Sequence, residues 1–421
     1  MSSTALGGKQ LPAFDRSSRG STAAPAKPPR PLSGIASDAL VRHLYVHLPF
    51  CAHRCGYCDF VTVVGRRGQH AAYVDGLLAE LELEREPLAP ELETVFLGGG
   101  TPTFTEPREL ERLFAGLPAA AEVTVEANPE TVTPALAALL RRSGVNRVSL
   151  GAQTFQAALL RVLDRVAGPD DVRRAFYHLR DAGFDNISLD LIYGIPGQKP
   201  SDLDADIHEA LALRPEHLSC YELEAKPGTR FTHAHGEELQ RQAEAMEGYF
   251  ACVVETLVGA GYRWYETANF CRAPAAAEGR DLRSRHNLAY WQGRDYLGLG
   301  IGAVSTVHGT RWRTTPRLGP YLAALREGQR PLREVEPLSE SVRRAERVML
   351  GLRLDEPLPL APVAEELDVR ALSRLERLGL ARRTSLDGPA AAGEAGEREA
   401  ALTLTTRGRL LGDAVTADLL A

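Results

Sequence analysis

The repeating strand–helix rhythm in the middle of the chain constrains its fold more than any other feature. Short β-branched or apolar runs occur at YVHLPF (45–50), TVFLGG (94–99), EVTVEA (122–127), RVSLGA (147–152), NISLDLI (186–192) and HLSCYEL (217–223). Amphipathic stretches lie between them, among them AAYVDGLLAELELER (71–85), PALAALLRRSG (134–144) and PDDVRRAFYHLRDAG (169–183). A strand followed by a helix, six times over, predicts parallel strands joined by right-handed crossovers. Two α/β architectures meet that description, a doubly wound sheet and a partial TIM-type (β/α)6 barrel. The polar residues favour the barrel. They gather at or just past the carboxyl ends of the strands: the cysteines after 50, Gly98–Thr101, Glu126, Gln153, Asp190 and Glu222–Glu224. A parallel barrel builds its site on that rim.

The flanks read differently. Residues 1–38 are rich in Ser, Gly, Ala, Pro and basic residues without helical or strand period, and a disordered tail is expected there. The barrel is expected over 39–310. From 311 to 421 helical patterns dominate, as in SESVRRAERVMLGLRL (339–354) and VRALSRLERLGL (369–380), and an Ala/Gly/Glu-rich insert follows at 387–400. Helices, a hairpin and a last helix predict a small winged-helix-like C-terminal domain. Little net basic charge near its end favours a packing or lid role over DNA binding.

Composition narrows the class. The chain is 44% hydrophobic and 25% charged with a formal charge of −6, so bulk electrostatics do not steer it to nucleic acid. It has no apolar run of about eighteen residues and no signal-like h-region, so neither a membrane segment nor export is expected, and a cytoplasmic location is. Six cysteines are too few for a disulfide scaffold, yet Cys51, Cys55 and Cys58 fall within eight residues. That clustering points to metal or redox chemistry in a reducing compartment.

The segment HLPFCAHRCGYCDF (47–60) carries the strongest chemical signal. Thiolates spaced C-x3-C-x2-C on one loop suit three corners of an iron–sulfur cubane, with the fourth open to a ligand. A structural zinc site needs four closed ligands, and the fourth would come from His47 or His53. FLGGGTPTF (96–104) follows the second strand; its glycines let backbone approach a ligand and expose N–H groups to a carboxylate or phosphate. It matches neither the Walker nor the G-x-G-x-x-G spacing.

With these two motifs in order, the chain resembles the radical S-adenosylmethionine (SAM) superfamily. Within it, the similarity is to the branch holding oxygen-independent coproporphyrinogen III dehydrogenases (oxidases) and HemW-type haem chaperones. YVHLPFC, FLGGGTPT, VEANPE, RVSLGAQTF, LDLIYGIPGQ, YETANF, RHNLAYW and DYLGLGIGA carry the resemblance from about Leu44 to the C-terminus. It implies that Cys51, Cys55 and Cys58 hold a [4Fe–4S] cluster whose open iron chelates S-adenosyl-L-methionine. Gly99, Gly100 and Thr101 would then contact the methionine end. Glu126 and Asp190 suit ribose hydroxyls or the ammonium, Gln153 and Arg165 suit ribose and carboxylate, and Tyr45 and Tyr57 would flank the cluster and the adenine.

Two functions compete within that branch: haem binding and delivery, and coproporphyrinogen III oxidation in porphyrin biosynthesis. The dehydrogenase type carries a further cysteine two places after the third, where this chain has Phe60, and a structured N-terminal extension that residues 1–38 do not suggest. Both departures favour the haem-chaperone type. RHNLAYW (285–291) matches an H-N-x-x-Y-W motif associated with haem handling, which makes His286 the expected haem ligand, packed by Tyr290 and Trp291. The implied partners are haem, acceptor haemoproteins and an electron donor, with a homodimer as one assembly. Ile301 and Val304 stand where relatives usually show proline and histidine, and LDRVAG (163–168) lacks a usual histidine but keeps Arg165.

Overall fold

Along the strand β1 (His43–Leu48), in a computed structural model of the chain, Leu44, Val46 and Leu48 alternate with His43, Tyr45 and His47. The period of two assigns each set to one face of the sheet. The leucines and valine join Leu97, Val125, Leu150, Leu189 and Leu218 in a large core that also takes in Leu77, Leu113, Phe176 and Ile207 from the surrounding helices. The second set faces a polar interior. The structure describes residues 40–225, 230–274, 279–385 and 400–420, so the expected tail over 1–38 and nearly all of the insert over 387–400 lie outside the described residues.

The barrel proceeds through α1 (His70–Leu83), β2 (Leu92–Gly99), α2 (Pro107–Gly116), β3 (Ala120–Ala127), α3 (Pro134–Arg142) and β4 (Arg147–Gln153). It continues with α4 (Ala157–Val162), α5 (Pro169–Asp181), β5 (Ile187–Tyr193), α6 (Pro200–Leu213) and β6 (His217–Glu222). Helices α2, α3, α5 and α6 each start on a proline, whose fixed φ and missing N–H suit the first helical turn. The six parallel strands form the expected (β/α)6 barrel.

Three further strands extend it. After α7 (Arg230–Ala243) and α8 (Met246–Gly259) come β7 (Tyr262–Glu266) and β8 (Asn269–Arg272), and after α9 (Arg285–Trp291) comes β9 (Leu297–Leu299). The nine-stranded sheet has the order β9-β1-β2-β3-β4-β5-β6-β8-β7. β9 lies parallel to β1, while β8 is antiparallel to both β6 and β7.

The C-terminal part begins with the antiparallel strands β10 (Val304–Val307), β11 (Thr310–Thr314) and, after α10 (Leu318–Arg326), β12 (Arg333–Pro337). An expected boundary between 310 and 311 falls within β11, which pairs with β10. Then follow α11 (Glu340–Gly351), β13 (Leu358–Pro359), α12 (Val369–Arg377), β14 (Ala381–Ser385), β15 (Ala400–Leu404), α13 (Thr406–Leu410) and α14 (Gly412–Leu419). The order β13-β15-β14 beside α11 and α12 is that of a winged helix. A second core, including Val348, Leu358, Leu372, Leu402 and Leu419, holds this unit together. It is tied to the barrel by Arg353 on Glu266 (2.7 Å), Arg263 on Asp355 (2.7 Å) and Arg409, whose guanidinium lies 3.7 Å above the Trp264 ring.

Candidate active site at the carboxyl rim

The chain leaves β1 through Pro49 and enters the cysteine loop by a short parallel pairing of Phe50–Cys51 with Val63–Val64. Val63 N–H donates to Pro49 O and Gly65 N–H to Cys51 O, both at 2.8 Å, so the loop is closed at its base. Cys51 is buried, whereas Cys55 and Cys58 are half-buried. Burial pushes the Cys58 thiol up to about 12 and Cys51 upward too, and the neighbouring cysteines add to both shifts. Thiolates at these positions therefore require a cation.

The glycine turn is stitched to the same loop. Gly100 N–H donates to Leu48 O and Thr101 N–H to Phe50 O, each at 2.9 Å. Gly99 has φ +107°, and a Cβ there would stand 2.4 Å from the His47 ring; one on Gly100 would stand 2.6 Å from the Pro49 carbonyl. No side chain fits between turn and loop.

A chain of hydrogen bonds joins two cysteines across the strand ends. Thr101 Oγ1 donates to Cys51 Sγ (3.5 Å) and accepts from Asn128 Nδ2 (3.2 Å). Asn128 Oδ1 accepts from Arg165 Nη2 (3.2 Å), and Arg165 Nη1 donates to Cys55 Sγ (3.6 Å). Arg165 Nη2 also reaches Gly151 O at 3.1 Å. Asn128 was not among the expected site residues, although VEANPE places it directly after β3 and before a proline, which has no N–H to continue the ladder.

The other expected residues distribute around this chain. Glu126 Oε2 accepts from Gly99 N–H at 3.3 Å. Gln153 sits at φ +66° where the pairing of β4 with β5 shifts register, a conformation that turns its side chain out of the strand alternation. Asp190 lies deeper, buried, and accepts from Ser149 Oγ on both oxygens at 2.9 and 3.0 Å. Tyr57 packs against the apolar cluster of Leu159, Ile192, Ile195, Leu223 and Phe231, close enough to Arg165 to influence its charge. Beside that cluster a cavity of about 270 Å³ opens among Gly194, Glu222, Leu223, Gln242 and Met246. Tyr45 points inward, stacked on Phe96 at 6.2 Å.

His47 does not complete a zinc set. Its Nε2–H donates to Val61 O at 2.8 Å, which leaves Nδ1 to accept from Tyr45 OH at 3.0 Å. Burial lowers its pKa to about 4, so the ring is neutral. Among the described residues, no group of three or more His, Cys, Asp and Glu side chains is arranged to hold a single metal ion.

His286 is set apart from the rim. It lies in the first turn of α9, which closes the amino-terminal floor of the barrel, and Glu122 accepts the backbone N–H groups of Arg285 (3.1 Å) and His286 (3.2 Å). The ring is buried against Phe96, 5.0 Å between centroids, with Nδ1 on Thr94 Oγ1 (2.7 Å) and Nε2 on Tyr290 OH (2.9 Å). Both nitrogens of the expected haem ligand are thus hydrogen-bonded inside the barrel.

Comparison with known proteins identifies the family. Residues 45–210 match the family model of the Radical SAM superfamily. The heme chaperone HemW of Mycobacterium tuberculosis is 35% identical over 389 residues, covering 90% of this chain and 94% of that protein. HemW of Bacillus subtilis is 33% identical, covering 89% and 98%. Among solved structures, the radical SAM enzyme coproporphyrinogen III oxidase (HemN) from Escherichia coli superposes with a TM-score of 0.71 at 22% identity, covering 90% of each chain. Among the described residues no helix is long and apolar enough to cross a membrane. With about a third of its residues identical to these chaperones over nearly their full length, the chain belongs to the HemW family of the radical SAM superfamily.

Proposed function

We propose that this chain is a haem chaperone, binding haem and passing it to acceptor haemoproteins. One observation carries the reading: the 35% identity over 94% of the length of a relative named a heme chaperone. Phe60 supports it, since it stands where the dehydrogenase type has a further cysteine. The reading extends to an electron donor, a cytoplasmic setting, a second copy of the chain as partner, and a division into a barrel and a C-terminal helical domain.

The superfamily implies a [4Fe–4S] cluster and SAM, and the rim residues fit both. Cys51, Cys55 and Cys58 would hold the cluster; burial penalises thiolate at Cys51 and Cys58 unless such a cationic centre is present. When bound, the cluster supplies an electron and an open coordination position for the amino-acid end of SAM. Thr101 and Arg165 keep donors on the sulfurs of Cys51 and Cys55, which orients both ligands. Gly99 and Gly100 keep the backbone close, Glu126 and Asp190 would offer acceptors to ammonium or ribose hydroxyls, and Gln153, at the register shift ending its strand, would serve ribose or carboxylate. Tyr57 presents an apolar wall to the adenine, and Tyr45 supports the loop through His47. In this reading His286 ligates haem by exchanging its Tyr290 hydrogen bond for iron.

HemN shares the fold, so the competing activity is tested directly. The reconstituted protein is incubated anaerobically with coproporphyrinogen III, SAM and reductant. No protoporphyrinogen IX is expected. Its appearance contradicts the chaperone reading.

A further inference from the structure

A cavity of about 300 Å³ lies between the barrel floor and the C-terminal helices, on the side away from the cysteine loop. Gln292 and Arg294 line it from the segment after α9, Arg347 from α11, and Leu354, Glu356 and Leu358 from the segment that follows. It shares no lining residue with the rim site.

Its charges do not balance. Glu356 has both oxygens engaged, Oε1 by Arg283 Nη1 and Oε2 by Gln292 Nε2 at 3.2 Å. Arg294 gives Nε to Gln292 Oε1 at 3.0 Å, and its Nη1 stands 3.7 Å from Glu93, which also lies 4.0 Å from Arg42 and 3.9 Å from His43. Among the described residues Arg347 has no ion-pair partner. Its guanidinium donates to one carbonyl, Trp291 O at 3.3 Å, out of five N–H donors. Burial, then the charge of Arg294, push its pKa down, and the opposing pull of Glu356 does not offset them. Gly351 leaves space for this arrangement: a Cβ there would stand 2.8 Å from the Leu358 side chain and 3.5 Å from Arg347 Nη1.

Two guanidinium groups lining one cavity, one of them half-buried, are a poor arrangement unless an anion joins them. The planar fork of arginine suits the oxygens of a carboxylate or phosphate. We propose that this cavity is an anion-binding site that takes a carboxylate or phosphate group between Arg294 and Arg347. Leu354, Pro357 and Leu358 line it with apolar surface, which suits the body of a small organic acid.

The test uses the full chain with its cluster reconstituted, titrated calorimetrically with inorganic phosphate, with haem, and with haem whose propionates are methyl esters. Arg294→Gln and Arg347→Gln are each expected to weaken the responding ligand roughly tenfold or more, as befits a charge-assisted hydrogen bond. Arg294 is 51% exposed, so Arg294→Gln keeps the fold even where Arg347→Gln does not. Phosphate binding lost in Arg294→Gln identifies a phosphate-type ligand. Haem affinity lost in Arg294→Gln and on esterification identifies a propionate. If Arg294→Gln matches the wild type towards both phosphate and haem, the proposal is overturned, and Arg347 only closes the end of α9. Phosphate binding without any haem binding would contradict the chaperone reading and leave this site standing.

Discussion

Asn128 holds the Arg165 guanidinium on its carboxamide oxygen at 3.2 Å, and through its amide nitrogen it holds Thr101 at the same distance. One short side chain thus couples the donors that serve Cys51 and Cys55.

Asn128→Ala removes that coupling and keeps all three thiols. The reconstituted variant is expected to retain its broad iron–sulfur absorbance while SAM affinity falls roughly tenfold, the size of one or two lost hydrogen bonds. Calorimetric titration of SAM under anaerobic conditions reads the difference. Wild-type affinity would show that Arg165 is oriented without Asn128.

Gly99→Ala places a methyl group 2.4 Å from the His47 ring at a φ of +107°. Strain plus overpacking is expected to cost about 2–4 kcal/mol and to spread the glycine turn away from the cysteine loop. Chemical denaturation gives the stability loss, and iron content after reconstitution gives the effect on the loop. An unchanged midpoint would mean that the turn relaxes freely.

His286→Ala separates two roles. Loss of its hydrogen bonds to Thr94 and Tyr290 is expected to destabilise the floor by about 1–3 kcal/mol. If the ring also ligates haem, haem affinity falls while the cluster spectrum stays intact. Unchanged haem affinity rejects it as ligand and leaves it a structural residue.

Glu80 supplies a pH dependence. Burial raises its pKa from 4.5 to about 7 although Gly300 N–H and Tyr321 OH donate to Oε2 at 2.7 and 2.8 Å. The folded state therefore binds the proton more tightly than the unfolded chain does. Its contribution is fully present below pH 4.5 and is lost as the pH rises through about 7, by up to roughly 3 kcal/mol. Glu80→Gln, neutral throughout, is expected to gain stability over the wild type across this interval. Parallel stability curves for the two proteins would contradict the assignment.

Local chemistry was legible in the sequence where spacing alone sufficed. The cysteines, the glycine turn and the six barrel strands lie within short segments whose residue types announce them. The edges were not. β7 and β8 are an antiparallel pair of five and four residues, and β9 has three residues set among glycines, so none carries a parallel-strand signature. Asn128 was hidden because its partners, Thr101 and Arg165, lie 27 and 37 positions away. The floor contacts of His286 were hidden for the same reason: its partner Thr94 is 192 positions distant, and a His-Asn pair says nothing of a barrel floor.

Delivery of haem to an acceptor is the defining reaction of a haem chaperone. The chain is loaded with haem, freed of excess, and mixed with an apo-haemoprotein while the Soret band is followed. Haem is expected to be retained through the separation and then to pass to the acceptor, whose spectrum appears as that of the loaded chain declines. A chain that retains no haem, or that keeps it in the presence of every acceptor supplied, contradicts the account.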